Sequence, residues 1–183
     1  MAQAAEHIKK YTYEDYLKTP DEIRYELIEG DLIMTPAPTV KHQRLSRKIE
    51  FILERFVEEN GLGEVFYAPC DVHLDDENVL QPDIMFISKE RSEIIGEKSI
   101  HGAPDLAIEI LSESSAYRDM VQKKIIYARF GVKEYWIVSP EEASVEIFVL
   151  KENTFRPYKA YIKGETLESP LLSGLKIELQ KVF

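Results

Sequence analysis

The spacing of apolar residues changes character several times along the chain, and each change marks an element. Leu45, Ile49, Ile52, Leu53, Phe56 and Val57 fall at i, i+4, i+7, i+8, i+11 and i+12, one stripe of a helix over positions 43–60. Gly61 and Gly63 stop it. Positions 64–69, 71–74, 79–87 and 104–111 read as strands, with Asp75-Asp76-Glu77-Asn78 as a turn and 89–101 as a polar excursion. The runs 79–87 and 104–111 are apolar on both sides of the pleat, the pattern of strands covered on two faces. A second helix over 115–130 ends at Gly131, and 133–139 (KEYWIVS) is another buried strand.

The ends are simpler. Thr12 can cap a short helix over 13–18, with Asp15 in its first turn. Tyr25-Glu26-Leu27-Ile28 and Leu32-Ile33-Met34 predict a hairpin around Gly30, ended by Pro36 and Pro38. Positions 144–150, 155–162 and 175–179 predict an antiparallel extension. Strand 104–111, helix 115–130 and strand 133–139 form a strand–helix–strand unit, expected as a right-handed parallel crossover. The fold class is α/β: a mixed β-sheet core flanked by helices, with an antiparallel N-terminal hairpin and a C-terminal β extension. No repeat, low-complexity tract or linker divides residues 1–183, which fit one domain.

Charge narrows the partners. The net charge is −10, which argues against a protein that coats nucleic acid, since neutralising phosphates needs a basic surface. A small local basic patch is still compatible with it. No stretch approaches the ~20 apolar residues that span a bilayer, and the opening MAQAAEHIKKYTYEDYL is too polar for a secretory signal. Cys70 is the only cysteine, so neither an intrachain disulfide nor a multi-cysteine metal site can form, and a cytoplasmic setting is expected.

The chemistry centres on two acids that interrupt apolar runs. Asp83 lies in Val79-Leu80-Gln81-Pro82-Asp83-Ile84-Met85-Phe86-Ile87, and Glu109 in Pro104-Asp105-Leu106-Ala107-Ile108-Glu109-Ile110-Leu111. A buried carboxylate is costly unless it is paired, hydrogen-bonded or bound to metal. Two hard-oxygen ligands on adjacent strands, with positions left for water and a phosphate, describe a Mg²⁺ site, which Mn²⁺ can also fill. Asp119, Lys123 and Tyr127 share one face of the second helix at i, i+4 and i+8. That face projects Lys123 toward the strand ends, while Lys124, turned about 100° away, is expected in solvent. Phosphodiester hydrolysis needs this combination of acids, metal and ammonium.

Each residue also has a plainer reading. The acids could be satisfied by structural hydrogen bonds, and Asp119–Lys123 could be a surface pair. His42 could contact a substrate phosphate or sit at the edge of the core. Lys41, Arg44 and Lys48, with Arg47, form the densest basic patch, either a solvated face or a DNA contact. Glu26 could add a third carboxylate, though a hairpin edge is its simpler place. Asp105 reads as a turn residue, and Tyr135 and Trp136 as core or interface.

In their order and spacing, several short motifs resemble the Uma-type family of restriction-endonuclease-like proteins, within the PD-(D/E)xK nuclease superfamily. They are Tyr25–Ile28, Pro36-Ala37-Pro38 with His42, Gln81-Pro82-Asp83, Pro104-Asp105 leading to Glu109 and Ser112, Asp119 with Lys123 and Tyr127, Gly131-Val132 with Glu134-Tyr135-Trp136, and the closing 175–183. The resemblance implies a restriction-endonuclease-like fold with Asp83 as first acid and Glu109 as second. The superfamily lysine normally sits two residues after the second acid, but here that position is Leu111. The family's lysine from the following helix matches Lys123.

The implied activity is Mg²⁺-dependent hydrolysis of DNA, with Asp83, Glu109 and the Ile110 carbonyl as metal ligands and Lys123 assisting. His42, Arg44, Glu26 and Tyr127 form the candidate substrate-binding set. The alternative is an inactive nuclease-like fold that binds nucleic acid or protein. Glycoside cleavage by the paired acids ranks below both, since it gives the lysine no role. Cutting two strands suggests a homodimer, for which Phe148, Phe155, Tyr158 and Tyr161 offer apolar surface.

Overall fold

The structure, a computed structural model, describes residues 10–20 and 22–183. Residues 1–9, which include much of the polar opening segment, lie outside the described residues. In chain order the elements are α1 (Tyr13–Tyr16), β1 (Tyr25–Ile28), β2 (Asp31–Met34), α2 (Val40–Asn60), β3 (Gly63–Tyr67), β4 (Val72–Asp75), β5 (Asn78–Leu80), β6 (Ile84–Ser88), a 3₁₀ segment (Lys89–Ile94), β7 (Ile100–His101) and β8 (Leu106–Ile110). A π-helical turn (Arg118–Lys123) then leads into α3 (Lys124–Phe130), followed by β9 (Glu134–Ser139), β10 (Ser144–Lys151), β11 (Thr154–Ile162), β12 (Thr166–Glu168), β13 (Lys176–Glu178) and α4 (Leu179–Val182).

The strands form a large six-stranded sheet, β11-β10-β9-β8-β6-β3, a smaller five-stranded sheet, β2-β1-β5-β4-β7, and the ribbon β12-β13. In the large sheet β8 and β9 run parallel, as the crossover requires, and the remaining pairs are antiparallel. The expected hairpin is present, with Tyr25 opposite Met34 and a turn through Glu29 and Gly30, both at positive φ.

The run 79–87 departs from expectation. It is two strands in two sheets, β5 in the small sheet and β6 in the large one. Pro82 has no N–H for a ladder and interrupts pairing, so the chain crosses between sheets at Gln81-Pro82-Asp83. Asp83 therefore sits in the crossing, not within a strand. Positions 175–179 also divide, into β13 and the start of α4, and β13 pairs with the short β12 rather than extending the tail.

Helices cover both faces of the large sheet. Thr39 caps α2 by accepting from the His42 N–H, and Gly61 closes it in the left-handed region. Leu45, Ile49, Leu53 and Val57 are buried against Ile84, Phe86, Leu106, Ile108, Ile110 and Trp136. Each such side chain contributes roughly 1.5–3 kcal/mol of burial. On the opposite face Ile126, Tyr127 and Ala128 of α3 pack on Ala107, Tyr135, Ile137 and Phe148. The period of two along β8 thus directs Leu106, Ile108 and Ile110 toward α2, and Ala107 and Glu109 toward α3.

Three surface expectations are corrected. Phe148, Phe155 and Tyr161 are buried in the core, so of the proposed dimer aromatics only Tyr158 is exposed. Lys124 is not free in solvent, because its ammonium lies 3.3 Å from the centroid of the Phe148 ring. Asp105 is fully buried, accepting from the Ser88 N–H and paired with Arg91 and Lys133. Tyr135 and Trp136 are core residues. Among the described residues no helix is long and apolar enough to cross a membrane.

Candidate active site

Glu109 emerges from β8 beneath the crossover helix, buried in the wall of a cleft. Its Oε1 accepts from Lys123 Nζ at 3.0 Å and from the Tyr127 hydroxyl at 2.9 Å. Lys123 does more than meet Glu109. Its ammonium also lies 2.9 Å from Glu26 Oε1 and 3.3 Å from Asp119 Oδ1. The Asp119–Lys123 pair is therefore buried, not a surface pair, with side chains 2% and 5% exposed. Glu26, expected at a hairpin edge, is buried too, and it accepts from the Gln81 N–H at 2.8 Å.

The π turn is the local device behind this. It spans Arg118–Lys123 and holds both Asp119 and Lys123 facing inward, while the Tyr135 hydroxyl caps the Asp119 carbonyl at 2.9 Å. Such turns recur where a helix must present side chains to a site.

Asp83 approaches from the crossing between the sheets. Its Oδ2 accepts from the Ile110 N–H at 2.7 Å and lies 3.0 Å from His42 Nε2. Ile110 thus meets Asp83 through its amide. His42 stands at the first turn of α2, with its Nδ1 buried and unpartnered among the described residues. Asp83, Glu109, Ile110, His42, Glu26, Asp119 and Lys123 all line one cleft of about 720 Å³.

Two members of the expected substrate-binding set lie elsewhere. Arg44 is exposed on α2 and is not part of the cleft lining. Tyr127 is sealed and reaches the site only through its bond to Glu109.

The electrostatics follow from four carboxylates gathered in little solvent. Burial pushes Glu109 well above the usual carboxylate range; Lys123 opposes this, while Asp119, Asp83 and Glu26 add to it. Asp119 is raised for the same reasons, burial first, with Lys123 and Ser115 opposing. Burial disfavours the Lys123 ammonium, but Glu109, Glu26 and Asp119 outweigh it and hold the lysine charged well past its ordinary range. For His42, burial is outweighed by the hydrogen bond and charge of Asp83, so its pKa is raised.

These donors fit a hard divalent cation. The second oxygens, Asp83 Oδ1 and Glu109 Oε2, receive no hydrogen bond from the described residues. The carboxylates here outnumber the cations, a charge excess that a divalent cation would offset. Among the described residues no three His, Cys, Asp or Glu side chains form a metal cage. Mg²⁺ does not require one, since it typically takes one or two carboxylates and completes its shell with water and substrate phosphate.

The mixed sheet thus brings an acid before one strand, an acid on the next and a lysine from the crossover helix into one cleft. The chain belongs to the Uma2 family, described as "Putative restriction endonuclease", whose sequence profile matches residues 12–180. The fold is shared with a solved protein described as a putative nuclease belonging to DUF820 from Anabaena variabilis. That structure aligns with a TM-score of 0.77 over 94% of this chain and 97% of its own, at 21% identity. No curated protein matches the chain.

Sequence reasoning missed Asp119 as a site member and undervalued Glu26. A signal existed for both. Glu26 interrupts Tyr25-Leu27-Ile28 as Glu109 interrupts its own run, and Asp119 is one helical turn before Lys123.

Proposed function

We propose that the protein is a Mg²⁺-dependent nuclease that hydrolyses DNA phosphodiester bonds in this cleft. The observation that carries the reading is the convergence of Asp83 and Glu109 beside a buried lysine, in a chain of this family. Asp83 and Glu109 would hold the cation, Mn²⁺ serving in place of Mg²⁺, with the Ile110 carbonyl as a further ligand. When bound, the cation neutralises charge on the phosphoryl oxygens.

The chain's own groups have separable roles. Hydrolysis places a water hydroxyl on phosphorus and a proton on the departing oxygen. Lys123 stays an ammonium at neutral pH, so it orients and offsets negative charge and does not accept the proton. His42 holds Asp83 through Nε2 and turns its Nδ1 inward. Glu26 fixes Lys123 and the Gln81 amide, two residues before Asp83.

Further expectations belong to the same proposal. A homodimer would place two centres for two strands. A reducing cytoplasmic setting would suit Cys70, whose thiol is pushed up by burial and by Asp71.

A second reading, a nuclease-like fold that binds without turnover, has one observation in its favour. The Lys123 ammonium is already shared among three carboxylates, which leaves it little freedom to meet a substrate. Calorimetric titration with Mn²⁺, followed by incubation with DNA, separates the two. Metal binding and cleavage that both vanish in Asp83→Ala support the nuclease. Metal binding without cleavage of duplex or single-stranded DNA supports the second reading.

A further inference from the structure

Three described arginines are partly withdrawn from solvent: Arg24, Arg91 and Arg118. Arg91 has a carboxylate, Asp105, at 3.3 Å. Arg24 and Arg118 have none among the described residues, although the chain carries 33 acidic side chains against 23 lysines and arginines. Both line the cleft.

Arg24 donates Nε at 3.1 Å and Nη2 at 2.9 Å to the same atom, Gln81 Oε1. A neutral amide thus fixes the plane of the guanidinium, and no carboxylate among the described residues pairs with its charge. Gln81 is itself held by Asp71, 2.7 Å from its Nε2. Arg118 has its Nε sealed from solvent with no acceptor among the described residues. A buried donor without a partner is costly, and such an atom calls for a ligand or another specific explanation. The other basic side chain at the cleft rim, Lys41, is already neutralised by Glu141 at 2.7 Å.

In an acidic protein, carboxylates are available to pair with any arginine that merely serves the fold. Two guanidiniums that enter one cleft from different elements, one before β1 and one from the π turn, are instead held open for an anion from outside. Guanidinium suits phosphate because its fork meets two oxygens at once.

We propose that Arg24 and Arg118 are a phosphate clamp that binds the backbone phosphates flanking the scissile one in a DNA strand. The proposal rests on the nuclease reading of the same cleft and names residues that bind substrate without joining the chemistry. It also assigns the DNA contact to the cleft and away from the exposed patch of Arg44 and Arg47. A clamp of this kind reads backbone and not bases, so it acts on every sequence alike.

The test is fluorescence anisotropy with the full chain carrying Asp83→Asn, titrated with a fluorescein-labelled DNA duplex and with its single strand over a range of salt. Arg24→Gln and Arg118→Gln should each weaken binding about tenfold, and each should lower the salt slope by about 0.7–0.9, one phosphate contact. Arg24→Lys and Arg118→Lys should restore the slope and only part of the affinity, which separates a clamp from a fold defect. Arg44→Gln and Arg47→Gln should leave both quantities in place. If the parent binds DNA and the cleft arginines change nothing, or change no more than Arg44 and Arg47, the clamp is overturned and the nuclease reading stands. If the folded parent binds neither DNA form, the nuclease reading fails and the clamp with it.

Discussion

Lys123 Nζ stands 2.9 Å from Glu26 Oε1 and 3.0 Å from Glu109 Oε1, so one ammonium joins an acid of the small sheet to an acid of the large one. Lys123→Met keeps the length of the side chain and removes the charge, leaving three carboxylates without their cation. Removing one partner of a buried ion pair typically costs about 3–5 kcal/mol. Urea unfolding should show a loss of this size at neutral pH. The same variant should lose nuclease activity, and added acid should recover part of the stability, because protonating the orphaned acids relieves their repulsion.

His42 holds Asp83 without being a proposed metal ligand. Outer partners that orient a ligand typically contribute about 10–100-fold to metal affinity. His42→Ala should weaken Mn²⁺ binding by that factor in a calorimetric titration, with little change in the urea midpoint. Asp83→Ala should abolish the binding signal. Equal affinity in His42→Ala and the parent would remove the positioning role.

Asp105 offers a prediction about acid. Burial alone would raise its pKa, but the contacts from Lys133, Ser88 and Arg91 outweigh burial and hold it below the ordinary value. A depressed carboxylate stabilises the fold above its unfolded pKa of about 3.9, and that contribution fades as pH falls through the lower folded pKa. Asp105→Asn should therefore be less stable than the parent at pH 7, with the gap narrowing as the pH falls below about 4. Urea midpoints measured across that range check it.

The core under α2 gives a calibration. Leu53 is fully buried against the large sheet. Leu53→Ala should cost about 2–5 kcal/mol, seen as a lower urea midpoint with an unchanged denaturant slope. Metal affinity per folded molecule should not change.

Much of this was readable in the chain. Leu45, Ile49, Leu53 and Val57 announce α2 because burial on one side imposes a helical period that sequence records directly. Glu109 stands out because β8 is covered on both faces, so a single acid breaks an otherwise apolar run. Other features depend on contacts between distant segments. The Gln81-Pro82-Asp83 crossing hides in an apolar run, since both strands it joins are themselves buried. Nothing in the sequence singles out Arg24 or Arg118, because lacking an acid partner is a property of packing and not of sequence. Phe155 and Tyr161 look like free aromatics for the same reason: the tail strand that carries them turns its apolar side inward.

The small sheet supplies Glu26 and, through the peptide amide of Gln81, the support for the loop that bears Asp83. The large sheet supplies Glu109, and the helix between its parallel strands supplies Lys123. The centre is thus a seam rather than a property of either layer. Any loosening that lets the two layers slide apart would scatter its charges while each layer kept its own ladder of backbone bonds, and chemistry would disappear ahead of secondary structure on warming.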